Sequence, residues 1–194
     1  WAGRCVEETG FTLTTNLCMD YLDHGVYTEG LDNEVQSAVK KIEAIMGQKF
    51  GDPDNPLLVS IRSGARQSMP GMMETVLNVG LTKATIPGLI KKTNNPRFVY
   101  DAYRRLITMY SDVVMEKSEG IKPVSGEAIR EQLEEIMDHM KNDRGVSVDI
   151  DLTADDLKQL CEEFKEKVRD TLGSEFPDDP GTQLWGGISA VFKS

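Results

Sequence analysis

The chain has 194 residues, of which 39% are hydrophobic and 28% charged, and its formal net charge is −10 at pH 7. That length can bury a core and suits one or two domains. The acidic balance excludes a broad nucleic-acid surface, which needs clustered Lys and Arg to displace counterions, but leaves a triphosphate open, since a few local donors suffice for one. No stretch approaches the roughly 18–20 apolar residues of a membrane span; the longest apolar tract near an end, Leu184 to Phe192, is interrupted by Gly186 and Gly187. No basic region followed by an apolar run marks a secretory signal. Cys5, Cys18 and Cys161 are odd in number and far apart, and neither His24 nor His139 forms a motif with them. The expectation is a reduced, cytoplasmic chain without a protein zinc site.

In chain order, Gly10 to Thr15 predicts a short strand, β-branched and aromatic after a Gly. Asn16 to Leu22 begins a helix that stops before Gly25. From Asp32 to Met46, Val35, Ala38, Val39, Ile42, Ile45 and Met46 recur at helical spacing, with Asp32 or Asn33 as N-cap and Gly47 as stop. Gly51 to Pro56 is a turn cluster. Leu57 to Ile61 predicts a buried strand, and Thr75 to Gly80 a second one, with Val76, Asn78 and Gly80 alternating against Thr75, Leu77 and Val79. Asn95-Pro96 caps a helix whose apolar face carries Val99, Ala102, Tyr103, Leu106, Tyr110 and Val113. Lys117 to Gly126 reads as a polar linker. Glu127 to Asn142 aligns Ile129, Leu133, Ile136, Met137 and Met140, and Gly145 lies just past its end. Thr153 and Asp156 form a capping box, Leu152 and Leu157 a hydrophobic staple, and the helix runs to Gly173. After Pro177 and Pro180 comes a final apolar segment of helical character.

The expected fold is α+β, in three parts: residues 1–81 as the first part of an α/β lobe, 82–175 as a helical subdomain, and 176–194 as a segment returning to the lobe. The first part has a thin core of its own and needs the C-terminal segment, or other material, to cover it.

One stretch carries chemistry: Ser60-Ile-Arg-Ser-Gly-Ala-Arg-Gln-Ser-Met-Pro-Gly-Met-Met-Glu-Thr75. Arg62 leaves a buried strand, and Ser63-Gly64 allows a turn with exposed N–H groups. These groups and an Arg fork suit phosphate oxygens. Gly71 lets the backbone approach a ligand, and Met72 and Met73 offer soft apolar surface for a purine. On these residues alone, a polar surface loop with Arg62 paired to a carboxylate stands beside the nucleotide reading.

The wording of residues 54–65, Asp-Asn-Pro-Leu-Leu-Val-Ser-Ile-Arg-Ser-Gly-Ala, and of 68–81, Ser-Met-Pro-Gly-Met-Met-Glu-Thr-Val-Leu-Asn-Val-Gly-Leu, closely resembles the N-terminal region of pyruvate phosphate dikinases. Ser-Met-Pro-Gly-Met-Met is highly specific to that family, and the resemblance runs on through Asn95 to Arg105, Met109 to Met115, Asp151 to Leu157, Glu175 to Pro177 and Gln183 to Ser194. It implies an ATP-grasp-type lobe, here partial and with an inserted helical subdomain. Arg62 would contact nucleotide phosphates, and the loop from Met69 to Thr75 would lie over the nucleotide. Ser63, Gly71, Met72, Met73 and Thr75 are the implied nucleotide-binding residues beside Arg62. The implied cofactor is ATP with Mg2+, whose metal ligands are expected outside this chain. The implied parent converts ATP, phosphate and pyruvate to AMP, pyrophosphate and phosphoenolpyruvate. It acts as a cytoplasmic homodimer, organellar if eukaryotic, and the remaining domains are this chain's partners; neither nucleic acid nor membrane is expected.

The family's lysine-bearing Gly-Gly-Lys-Gly segment, its glycine-rich phosphate loop and its carrier histidine are not found in these 194 residues. The expectation is therefore an N-terminal fragment without phosphoryl transfer of its own. Two alternatives stand: a non-catalytic helical interaction module, and a fragment of a phosphoenolpyruvate synthase, against which the double Met argues. Arg104 and Arg105 are expected to pair with carboxylates, Tyr100, Tyr103 and Tyr110 to lie in the core or its rim, Met137 and Met140 in the core, and Glu74 in solvent. The acidic run from Asp149 to Asp156 is read as capping, since it lacks the glycine and terminal glutamate of a calcium loop.

Overall fold

A computed structural model describes residues 9–64, 75–123 and 126–194. The architecture is α+β, mostly helical with two small sheets. The strand expected at Gly10–Thr15 does not form. Thr14 is extended and the chain enters helix α1 (Thr15–His24) at the next residue. Phe11 and Leu13 do pack half-buried on the core. Among the described residues no strand lies alongside to complete a ladder. Gly25, left-handed at φ 70°, closes α1.

Helix α2 (Leu31–Met46) is capped by Gly30, two residues before Asp32 and three before Asn33, the expected caps, and stops at Gly47 as expected. Leu31, Val35 and Ile42 are buried, whereas Ile45 and Met46, expected on the apolar face, are 56% and 46% exposed. The run expected as one strand splits at Leu58. Strand β1 (Lys49–Phe50) pairs in parallel with β2 (Pro56–Leu57), and β3 (Val59–Ile61) pairs antiparallel with β4 (Val76–Val79). The turn between β1 and β2 is held by the Asp52 carboxylate, which accepts from the N–H groups of Asp54 and Asn55 at 2.8 and 3.0 Å.

A helix not expected from the sequence follows, α3 (Ile86–Thr93). Its Gly88 backs onto the Asp52–Asn55 turn: a Cβ there would overlap the Pro53 carbonyl oxygen and stand 2.8 Å from that of Asp54. Asn95 then caps α4 (Pro96–Tyr110), its side chain accepting from the Phe98 N–H at 3.0 Å. Helices α5 (Ile129–Arg144) and α6 (Ala154–Leu172) pack on α4, burying Val99, Tyr103, Leu106 and Ile107 against Ile129, Leu133, Leu157, Leu160 and Phe164. Thr153 and Asp156 make the capping box, and Leu152 and Leu157 are both buried beside it. Arg104 and Arg105 pair with Asp101 at 2.8 and 2.9 Å, as expected, Arg104 from a buried position and Arg105 from an exposed one. Cys161 is buried under α4, and burial pushes its thiol up to about 12.

The chain does not leave the core at Tyr110. It continues as a π-helical segment, Ser111–Lys117, in which Ser111 through Glu116 are all buried. Its two acids are engaged. Asp112, 1% exposed, accepts from Lys117 Nζ at 3.0 Å and from Arg130 Nη2 at 2.7 Å, and Glu116 accepts from the Ile129 N–H that opens α5. Last comes α7 (Pro180–Lys193), capped by Asp179, which returns to pack on the π-helical segment and on β3 and β4. No helix among the described residues is long and apolar enough to cross a membrane.

Candidate functional site

The β3–β4 hairpin carries the expected site. Val59 faces Val79 and Ile61 faces Val76, so two steps along β3 match three along β4. The surplus residue is absorbed where Asn78 takes a positive φ of 62°. This bulge corrects the simple alternation expected from the sequence: Val76 and Val79, three apart, are both buried, and Leu77 between them is 40% exposed. Arg62 and Thr75 each lie one residue beyond the last pair, and therefore stand opposite one another at the mouth of the hairpin. Arg62 is exposed, Ser63 and Thr75 half-buried. Gly71, Met72 and Met73 lie outside the described residues, as does Glu74.

Two elements hold the hairpin from below. Gly80, at φ 100°, lets the chain turn against Phe50, whose ring would stand 2.8 Å from any added Cβ. Gln183 of α7, fully buried, accepts from the Gly80 N–H at 2.9 Å and donates to the carbonyls of Leu81 at 3.2 Å and Pro177 at 2.9 Å. The sequence reading passed over Gln183. Its signal was a lone amide on the apolar face of the last helix, one turn before a glycine pair.

Pairing distinguishes Arg62 from the other described arginines. Arg97 donates to the carbonyls of Leu152 and Asp149, and Arg104, Arg105, Arg130, Arg144 and Arg169 each hold a carboxylate. Among the described residues Arg62 is the arginine without such a partner. An exposed, unengaged guanidinium fits a phosphate. The donor set for a divalent cation is not here: among the described residues no group of three or more His, Cys, Asp or Glu is arranged to hold a metal. A cleft of about 330 Å³ lies elsewhere, between α4, α5 and α6. Its cations are already matched, Arg104 and Lys141 both reaching Asp149 at 3.6 and 3.4 Å.

Residues 20–147 match the protein family described as pyruvate phosphate dikinase, AMP/ATP-binding domain. The chain is 49% identical over 187 residues to pyruvate, phosphate dikinase of Clostridium symbiosum, covering 95% of this chain and 20% of that protein. It is 43% identical over 185 residues to the Giardia intestinalis pyruvate, phosphate dikinase, with the same two coverages. Against pyruvate, phosphate dikinase 1, chloroplastic, of Zea mays it is 42% identical over 186 residues, covering 95% of this chain and 18% of that protein. The chain thus spans about a fifth of the length of these relatives.

Proposed function

Because the chain belongs to the family of pyruvate phosphate dikinase AMP/ATP-binding domains, we propose that it supplies part of an ATP site, with Arg62 as the phosphate contact. The observation that carries this reading is the state of Arg62: exposed, opposite Thr75 at the hairpin mouth, and unengaged while the other described arginines are bound. In a chain of net charge −10 a free guanidinium is conspicuous, because carboxylates to neutralise it are abundant. Its planar fork accepts two phosphate oxygens at once, and it spreads the charge that develops on a transferring phosphoryl group. Ser63 and Thr75 flank it, and Gly71, Met72 and Met73 are proposed to lie over the nucleotide.

The lobe is proposed to be of ATP-grasp type, with residues 1–81 and 176–194 forming its part here and 82–175 the inserted helical subdomain. Magnesium, when bound with ATP, would offset triphosphate charge, and its ligands are proposed to lie outside this chain. The relatives are about five times as long as the matched segment, and their further length is proposed to carry the rest of the conversion of ATP, phosphate and pyruvate to AMP, pyrophosphate and phosphoenolpyruvate. Dimerisation of such a parent and a cytoplasmic or plastid location belong to the same proposal. A role of 82–175 in contacts with other domains is compatible with it, since it uses other residues.

Calorimetric titration of the purified chain with Mg-ATP and with AMP tests the assignment. Arg62→Ala is expected to weaken binding about tenfold or more, the worth of a charge-assisted phosphate contact at roughly 1.5–3 kcal/mol, and Arg62→Lys to recover part of it. Equal affinity in wild type and Arg62→Ala removes Arg62 from the site.

A further inference from the structure

Helix α7 carries Gly186 and Gly187 side by side. Glycine is the poorest helix former after proline, and neither residue takes a positive φ, so backbone freedom does not explain them. Space does. A Cβ on Gly187 would overlap Cδ1 of Ile61, the residue before Arg62, and one on Gly186 would overlap the Tyr110 hydroxyl. The helix is therefore seated between β3 on one side and the end of α4 on the other. One turn earlier, the buried amide of Gln183 grips the far end of β4 through Gly80 and Leu81.

We propose that α7 is the positioning element of the nucleotide site: Gly187 seats β3 through Ile61, Gln183 fixes β4, and together they set where Arg62 stands opposite Thr75. The functional side of this statement rests on the reading of Arg62 given above; the mechanical side does not. Neither Gln183 nor Gly187 touches the nucleotide in this account. Each strand of the hairpin is held by α7 at one point. Tyr110, whose hydroxyl donates to the Thr182 carbonyl at 3.3 Å, ties the first turn of α7 to α4, so the helical unit and the hairpin are connected through α7.

The test uses the 194-residue chain with two readouts, the backbone amide resonances of Arg62 and Thr75 and the affinity for Mg-ATP. The variants are Gln183→Leu, Gly187→Ala, and Gly187→Ala combined with Ile61→Val, which lacks the overlapping Cδ1 atom. Met140→Ala on α5, a buried residue outside both the hairpin and α7, is the control for general destabilisation. Gln183→Leu and Gly187→Ala are expected to shift both resonances more than Met140→Ala does and to weaken Mg-ATP binding roughly five- to tenfold by misplacing a charge-assisted contact. Ile61→Val is expected to return both readouts toward wild type in the Gly187→Ala background. Resonance shifts no larger than those of Met140→Ala, or no recovery with Ile61→Val, overturn the proposal. Should Gln183→Leu not fold, the Gly187 pair decides alone. A wild-type chain that binds no Mg-ATP refutes the nucleotide reading, while the resonances still decide the role of α7.

Discussion

Removing Arg130 and removing Asp112 break the same ion pair, yet the structure predicts unequal costs. Asp112 is 1% exposed on the π-helical segment, whereas its partners Arg130 and Lys117 are 34% and 59% exposed. Arg130→Ala leaves a buried carboxylate with one long, solvated lysine as its remaining cation, the situation that costs about 3–5 kcal/mol when a buried pair loses one member. Asp112→Asn leaves Lys117 free to swing into water, Arg130 with its other interactions, and an amide of the same shape in the carboxylate's place, for about 1–2 kcal/mol. The double variant Arg130→Ala/Asp112→Asn is expected to be more stable than Arg130→Ala alone, because the stranded charge is gone. The coupling should lie at about 1–3 kcal/mol for groups in direct contact. Urea unfolding of the four proteins at pH 7 measures this. For a chain of this length each kcal/mol moves the melting temperature by about 2–4 °C, which gives an independent check. The cycle also cancels whatever else Arg130 contributes. If Arg130→Ala proves no worse than Asp112→Asn, or the double variant equals the sum of the singles, the argument from burial is refuted.

Gly88→Ala should reverse the usual sign of such a change: helix propensity favours Ala by about 1 kcal/mol. The Pro53 and Asp54 carbonyls leave no room for the methyl group, and overpacking costs about 1–3 kcal/mol, so chemical denaturation is expected to show a net loss; a stabilised variant would contradict the close approach of α3 to the turn. At the start of α6, the Thr153 hydroxyl and then the Arg144 guanidinium hold the Asp156 carboxyl down at about 2. A carboxyl lowered in the folded state stabilises above its unfolded value and loses that contribution as pH falls through the folded one, so the window is from about pH 4 down to 2. Asp156→Asn is expected to flatten the decline of stability across that window in wild type, and a parallel decline in both proteins would show that the cap does not titrate there.

The helices were legible where cap, apolar spacing and stop coincided. Asn95-Pro96, the Thr153–Asp156 box and Gly145 each marked a boundary that the structure keeps. Helix α3 was hidden because Pro87 and Gly88 imitate a turn; Pro is tolerated at the second helical position, and Gly88 is required by contact with a turn more than thirty residues away in sequence. The helical face was read on through Val113, but the π-helical geometry of Ser111–Lys117 was hidden for a related reason. A run buried on every side, with Asp112 and Glu116 in it, has no one-sided periodicity to read, and its acids find partners only once α5 is in place. The extended segment before α1 shows the converse: local pattern suggested a strand, but a strand is a property of a pair. At the hairpin, residue chemistry pointed to Arg62 and the family resemblance to Thr75, while the bulge at Asn78 and the grip of Gln183 arise from tertiary contacts that no local window contains.

The bond between Gln183 and Gly80 joins residues 103 apart in sequence, and this separation acquires a meaning in time. At about 5–20 residues per second of synthesis, β4 waits roughly 5–20 seconds between its own appearance and that of the amide which secures it. Helices α4, α5 and α6 are made within that interval and contact one another first. The far end of β4 is thus secured only once α7 has been made.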